Sequence, residues 1–162
     1  MLLFAKNVLF TILVPGTVAF YLPYWIGSRH ASAPVPALGA LVFAAPLLLA
    51  GAAVYLWCLW DFATAGRGTP APIDPPTRLV VRGLYRYVRN PMYVGVLTAI
   101  VGWLVAFRSP AVLAYALGVA CIVGAFVRFF EEPQLRRRFG EAYVEYCRHV
   151  PRWRPRFPPR SA

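Results

Sequence analysis

Four stretches of this chain carry no charged residue at all: 7–28, 31–60, 90–107 and 109–127. A helix that crosses the roughly 30 Å hydrocarbon layer of a bilayer needs about 20 apolar residues. A water-soluble core of 162 residues has no use for four such runs. The spacing predicts an all-α, polytopic membrane bundle of about four transmembrane helices: Phe4–Ile26, Pro36–Trp60, Pro91–Phe107 and Ala111–Glu132. Composition agrees, since 59% of the residues are apolar against about 45–50% in soluble domains. The first run is read as a membrane helix, not a cleaved leader, because it is long for one and Pro15 and Pro23 interrupt it. One domain is expected over residues 1–162, with 1–62 as its scaffold helices.

Charge then orients the bundle. Seventeen basic residues, sixteen of them Arg, face six acids and leave a net charge of +11. Such an excess suggests nucleic acid, but its placement points elsewhere. Five arginines fall between residues 61 and 90 and nine between 128 and 162, so fourteen of the seventeen bases lie on two segments. Those segments bracket the third and fourth runs, and a helical hairpin puts both on one face, the cytoplasmic one by the positive-inside rule. Both termini then face the cytoplasm, and the basic skirt meets membrane lipids, each residue near an anionic surface contributing about 1 kcal/mol. Cys58, Cys121 and Cys147 are far apart and two sit inside apolar runs, which argues against disulfides. Cys147 and His149 are too few donors for a metal site, so no metal is expected.

Local signals fill in the frame. Residues 66–76 are rich in proline and glycine and read as a loop. Pro91 suits the first turn of helix three, where its missing N–H costs nothing, and Pro133 marks the start of a separate helix. Leu135, Phe139, Tyr143, Tyr146 and Val150 recur at helical spacing, which predicts a C-terminal amphipathic interfacial helix broken at Gly140. At the end of helix four, Arg128, Glu131 and Glu132 stand three and four residues apart and share one face of an α-helix. They form either a snorkelling ion pair that ends the span or a carboxylate site for ribose hydroxyls or a cation. Residues 79–95 form a second concentration. Gly83 permits close backbone approach there, and Asn90-Pro91 opens a helix whose exposed N–H groups suit an anion. The plainer reading of that segment is a basic belt with tyrosine anchors.

The strings GLYRYVRNPMYVG (83–95) and EEPQLRRRFGEAYVEYCRHVPR (131–152) resemble the isoprenylcysteine carboxyl methyltransferase family and its phospholipid N-methyltransferase relatives. That family's pattern is approximately G-x-Y-R-x-x-R-H-P-x-Y-x-G, a helical hairpin, then E-E-x-x-L-x-x-x-F-G-x-x-Y-x-x-Y. The resemblance covers residues 66–152 and implies an integral membrane methyltransferase that uses S-adenosylmethionine. It makes 63–152 a cofactor-binding catalytic core and 153–162 a basic tail. Matching cofactor contacts are Thr77, Arg78, Leu79, Val80, Tyr85, Asn90, Pro91, Met92, Tyr93 and Glu131, with Glu132 completing the acidic pair. Asn90 stands where many members have His. Glu131 and Arg128 are expected to be catalytic, Arg128 orienting an acceptor carboxylate. A lipophilic acceptor is expected, such as a prenylcysteine carboxylate or a lipid, among the aromatic residues Trp103, Phe107, Phe126, Phe129 and Phe130. Phospholipid amines and small thiols are alternatives. A nicotinamide-dependent sterol-type reductase and a non-enzymatic membrane subunit stand behind them, since no dinucleotide fingerprint is present.

Overall fold

The computed structural model describes residues 9, 11–32, 35–66 and 78–157, and these contain helices and loops but no strand. Helix α1 is a wide-wound π segment, Ile12–Tyr21, running into a regular turnset, Leu22–His30. Helix α2 is Leu38–Asp61, opening into a π turn at Phe62–Gly66. After a 3₁₀ turn at Gly83–Arg86 come α3, Pro91–Phe107, and α4, Pro110–Phe126. A π turn at Val127–Glu131 joins α4 to α5, Glu132–Phe139, and α6 is Glu141–His149.

Two of these stretches, Leu38–Ala65 and Pro110–Phe139, are long and apolar enough to cross a membrane, whereas α3 is apolar but only 17 residues long. The sequence expectation of four spans is thus matched in length by two. The start of the first run lies outside the described residues.

Prolines explain the unusual winding. The Leu22 N–H reaches the Thr17 carbonyl, five residues back. The next carbonyl in that ladder, Val18, is paired in register with Pro23, which has no N–H to give. The Tyr115 hydroxyl of α4 donates to that carbonyl instead, at 2.8 Å. Proline also changes the expected end of helix four. Pro133 does stand in the first turn of a further helix, α5, but the π turn joins that helix to α4 with no loop between them. The wide turn ahead of Pro133 relieves the clash with the carbonyl four residues back that would stop an α-helix.

Glycine sets how α2 and α3 meet. A Cβ placed on Gly51 would lie 2.6 Å from the Gly95 carbonyl oxygen, and one on Gly95 would lie 2.9 Å from the Gly51 carbonyl oxygen. Backbone therefore packs on backbone, the small-residue contact that membrane helices use in place of a hydrophobic driving force. At the far end of α3, Trp103 and Phe107 stack with each other and meet Tyr24 edge-on. They are thus remote from Pro91, contrary to their expected place beside an acceptor.

The C-terminal apolar face also differs from expectation. Gly140, at φ 53° and ψ −130°, breaks the chain between α5 and α6. Tyr143, Tyr146 and Val150 then pack with Leu135 and Phe139 against Leu79 and Val81. That face is covered by the chain's own loop instead of lying bare for a membrane surface.

Candidate functional site

The loop entering α3 is shaped by Asp61, the first charge after the uncharged run of α2. Asp61 is 1% exposed, and its Oδ1 takes the Arg82 Nε at 2.9 Å. Gly83 follows at φ 55° and rests on the same carboxylate: a Cβ there would lie 2.2 Å from Asp61 Oδ2 and 2.9 Å from the Trp57 indole nitrogen. Only glycine meets both conditions, a left-handed backbone and no side chain. The turn drops Tyr85 into the interior, edge-on to Phe62 at 5.5 Å. Burial, with Cys58 beside it, holds the Tyr85 phenol well above its ordinary pKa, so it stays neutral and acts as a hydrogen-bonding group.

The C-terminal segment closes over this loop. The Arg89 N–H donates to the Pro151 carbonyl at 2.9 Å and the Arg156 N–H to the Tyr87 carbonyl at 3.0 Å. Asn90 Nδ2 donates to the Arg152 carbonyl at 3.1 Å, and the Tyr146 hydroxyl to the Tyr85 carbonyl at 2.7 Å. Asn90 is thereby buried as a structural clasp, a role that a side-chain N–H can fill without titrating.

The acidic pair divides in two. Glu132 receives Arg89 Nη1 at 2.9 Å and Arg152 through Nε at 2.8 Å and Nη2 at 2.6 Å. It ties α5 to both the loop and the C-terminal segment, and its hydrogen bond raises the Arg152 pKa further. Glu131 Oε2 accepts a hydrogen bond from the Tyr93 hydroxyl at 2.9 Å. Arg128, in the π turn just before them, does not join these residues: it is exposed, with its guanidinium 5.9 Å from the Phe129 ring centre.

All these elements enclose one cavity of about 560 Å³, within the 300–1,000 Å³ usual for small-ligand sites. Its polar end is lined by Arg78, Arg89, Asn90, Tyr93, Glu131, Glu132 and Arg138, and Leu79, Val80, Tyr85 and Met92 line the loop side. Its apolar limb runs between α1 and α4, past Val14, Val18, Tyr55, Val96, Val119 and Phe126, to Tyr115. Nine expected contacts therefore share one cavity. Pro91 is buried in the helix start and does not line it, Arg128 stands outside it, and Thr77 lies outside the described residues. Of the five aromatics expected there, only Phe126 lines it. Sequence reasoning passed over Arg152 and Asp61. The signal for Asp61 is a lone acid closing an uncharged run of thirty residues, and that for Arg152 is a base two residues beyond the last apolar position of a helix that carries an acid at its start.

The chain is thus α-helical, with two stretches long and apolar enough to cross a membrane and a cavity that joins a charged end to an apolar limb. The sequence model of the family described as phospholipid methyltransferase matches residues 40–142. The chain belongs to that family of methyltransferases. It is also 36% identical over 77 residues to a protein-S-isoprenylcysteine O-methyltransferase B of Arabidopsis thaliana, a stretch that is 46% of this chain and 38% of the plant protein. No solved structure matches the chain.

Proposed function

We propose that this chain transfers a methyl group from S-adenosylmethionine to a lipophilic acceptor, the cofactor at the polar end of the cavity and the acceptor's chain in the apolar limb. The observation that carries the reading is the continuity of the two ends in one cavity, with Glu131 and Tyr93 at the junction. When bound, S-adenosylmethionine supplies an electrophilic methyl on a sulfonium centre. The donor set fits such a molecule. Arg78 and the N–H groups of the α3 start suit its carboxylate, Glu131 suits its amine or ribose diol, and Tyr85 and Tyr93 offer ring faces to a cation. The Tyr93 hydroxyl fixes the orientation of the Glu131 carboxylate, and the apolar walls exclude water from the reacting atoms. Positioning and desolvation then supply most of the rate. A carboxylate acceptor needs no base, whereas for an ammonium acceptor Glu131 is the nearest carboxylate to take the proton.

Titration calorimetry of the detergent-purified protein tests this reading. Binding of S-adenosylmethionine is expected with chelator present, and Glu131→Gln is expected to weaken it about ten- to a hundredfold, the loss of one charge-assisted hydrogen bond. The exposed Glu141→Gln is expected to leave it unchanged. Absence of binding at millimolar cofactor, or equal effects of the two variants, would overturn the proposal.

The same reading has the chain as a multi-pass protein, with α1 and α3 completing four spans and the polar end facing the cytoplasm. The fourteen clustered arginines support that orientation. A cysteine placed at Ala71 is expected to react with an impermeant maleimide only from the cytoplasmic side. Reaction from the opposite side alone would reverse the topology.

A further inference from the structure

The apolar limb has a floor, and one residue makes it. Tyr115 lines the cavity at the deep end of α4, and its hydroxyl crosses to α1 to take up the Val18 carbonyl at 2.8 Å. That carbonyl is available because Pro23 leaves it without a ladder partner in the wide-wound segment. The ring is held at a fixed depth by a hydrogen bond that the α1 sequence makes possible, not by packing alone. Beside it, Ala19, Val96, Ala99 and Ile100 close the bottom. Higher up, Val14, Ile122 and Phe126 line the cavity while being 47%, 70% and 43% exposed. The limb is therefore open to the side between α1 and α4 and blocked below.

We infer that Tyr115 sets the length of the acceptor's chain. The inference rests on the reading of the limb as the acceptor's. From Phe126 to Tyr115 is eleven residues of α4, roughly 16 Å at 1.5 Å per residue. An extended chain advances about 3.4 Å for every three bonds, so the limb holds one aliphatic chain of about fourteen bonds before it meets the tyrosine ring. Longer chains must fold back or leave through the side opening. A two-chain lipid places one chain inside and keeps the other in the bilayer.

The test uses the full chain in nanodiscs and alkylamines, octyl to eicosyl, that carry a photoreactive diazirine at the chain end. Crosslinking is read by mass spectrometry and needs no methyl transfer. In the wild type, label is expected on Val18 and Val119 as the chain reaches the floor, with yield falling for longer probes. Tyr115→Ala is expected to move the cut-off to longer chains. Val119→Phe, one turn higher, is expected to move it shorter by about four or five bonds, the length of one helical turn. Tyr115→Phe keeps the ring but loses its tie to Val18, and is expected to move the cut-off by less than Tyr115→Ala does. The opposite sign of the Val119 change keeps the test valid if Tyr115→Ala does not fold. A cut-off unmoved by both Tyr115→Ala and Val119→Phe, or no cut-off in the wild type, overturns the inference. Normal cut-offs in a protein that binds no S-adenosylmethionine would instead count against the methyl-transfer reading and leave the length rule standing.

Discussion

Glu132→Ala is expected to be the most destabilising single replacement in the chain. Its carboxylate is the common partner of Arg89 and Arg152, and the side chains of Glu132, Arg89 and Arg152 are 12%, 14% and 31% exposed. Removing it leaves two adjacent guanidinium groups near the interior with no counter-charge. Breaking a buried pair in this way typically costs about 3–5 kcal/mol, or a fall in melting temperature of about 10 °C or more for a chain of this size. Arg152→Ala is expected to cost less, because Arg89 still satisfies Glu132. Thermal unfolding in detergent, with Glu141→Ala as the exposed control, gives the comparison. If Glu132→Ala melts with Glu141→Ala, the network is ornamental.

The second large effect is expected at Gly83. Alanine there must hold a left-handed conformation, which costs roughly 1–2 kcal/mol, and its Cβ would overlap Asp61 Oδ2 at 2.2 Å. The loop has to shift by about an ångström, and displacements of that size near a reacting centre cost about a hundredfold in rate. Gly83→Ala should therefore lose methyl transfer by about that factor while the helices persist by circular dichroism. Gly118→Ala is the control, since a Cβ there has no neighbour within 4 Å. Adding Asp61→Ala to Gly83→Ala should recover part of the loss, because it removes the overlap but not the backbone strain. Unchanged activity in Gly83→Ala would mean that the turn does not position the site.

How much was legible before the structure varies by element, and the reasons are physical. The apolar runs of α2 and α3 carry their boundaries on their surface: Asp61 closes one, and Pro91 and Arg108 bracket the other. All-α architecture follows from those runs, and the family follows from two motifs in order. Winding is a different matter. Pro133 allows the π turn at Val127–Glu131 without requiring it, and helical spacing does not tell that Arg128 turns outward while Glu131 and Glu132 line the cavity. The fate of the C-terminal apolar stripe was equally hidden. Helical spacing shows that a face is apolar, but not whether lipid or Leu79 and Val81 will cover it. Expected contacts that gather in the cavity come from segments up to about fifty residues apart, and only the closing of 150–157 over 87–90 brings Arg152 beside Glu132.

The glycine seam between α2 and α3 has a bearing on traffic through the site. Gly51 and Gly95 bring two main chains into contact with no side chains between them, so that pair has no rotamers to turn and no slack to slide. Under the proposed function two molecules enter and leave at every turnover, past whichever walls hold less tightly than this seam. On the α1 side, side-chain hydrogen bonds join the helices: the Tyr115 hydroxyl to the Val18 carbonyl, and the Tyr55 hydroxyl with Thr11 at 3.1 Å. The backbone seam leaves α2 and α3 the least freedom to part, whereas α1 meets α4 through a side chain bonded to a carbonyl that Pro23 leaves without a ladder partner.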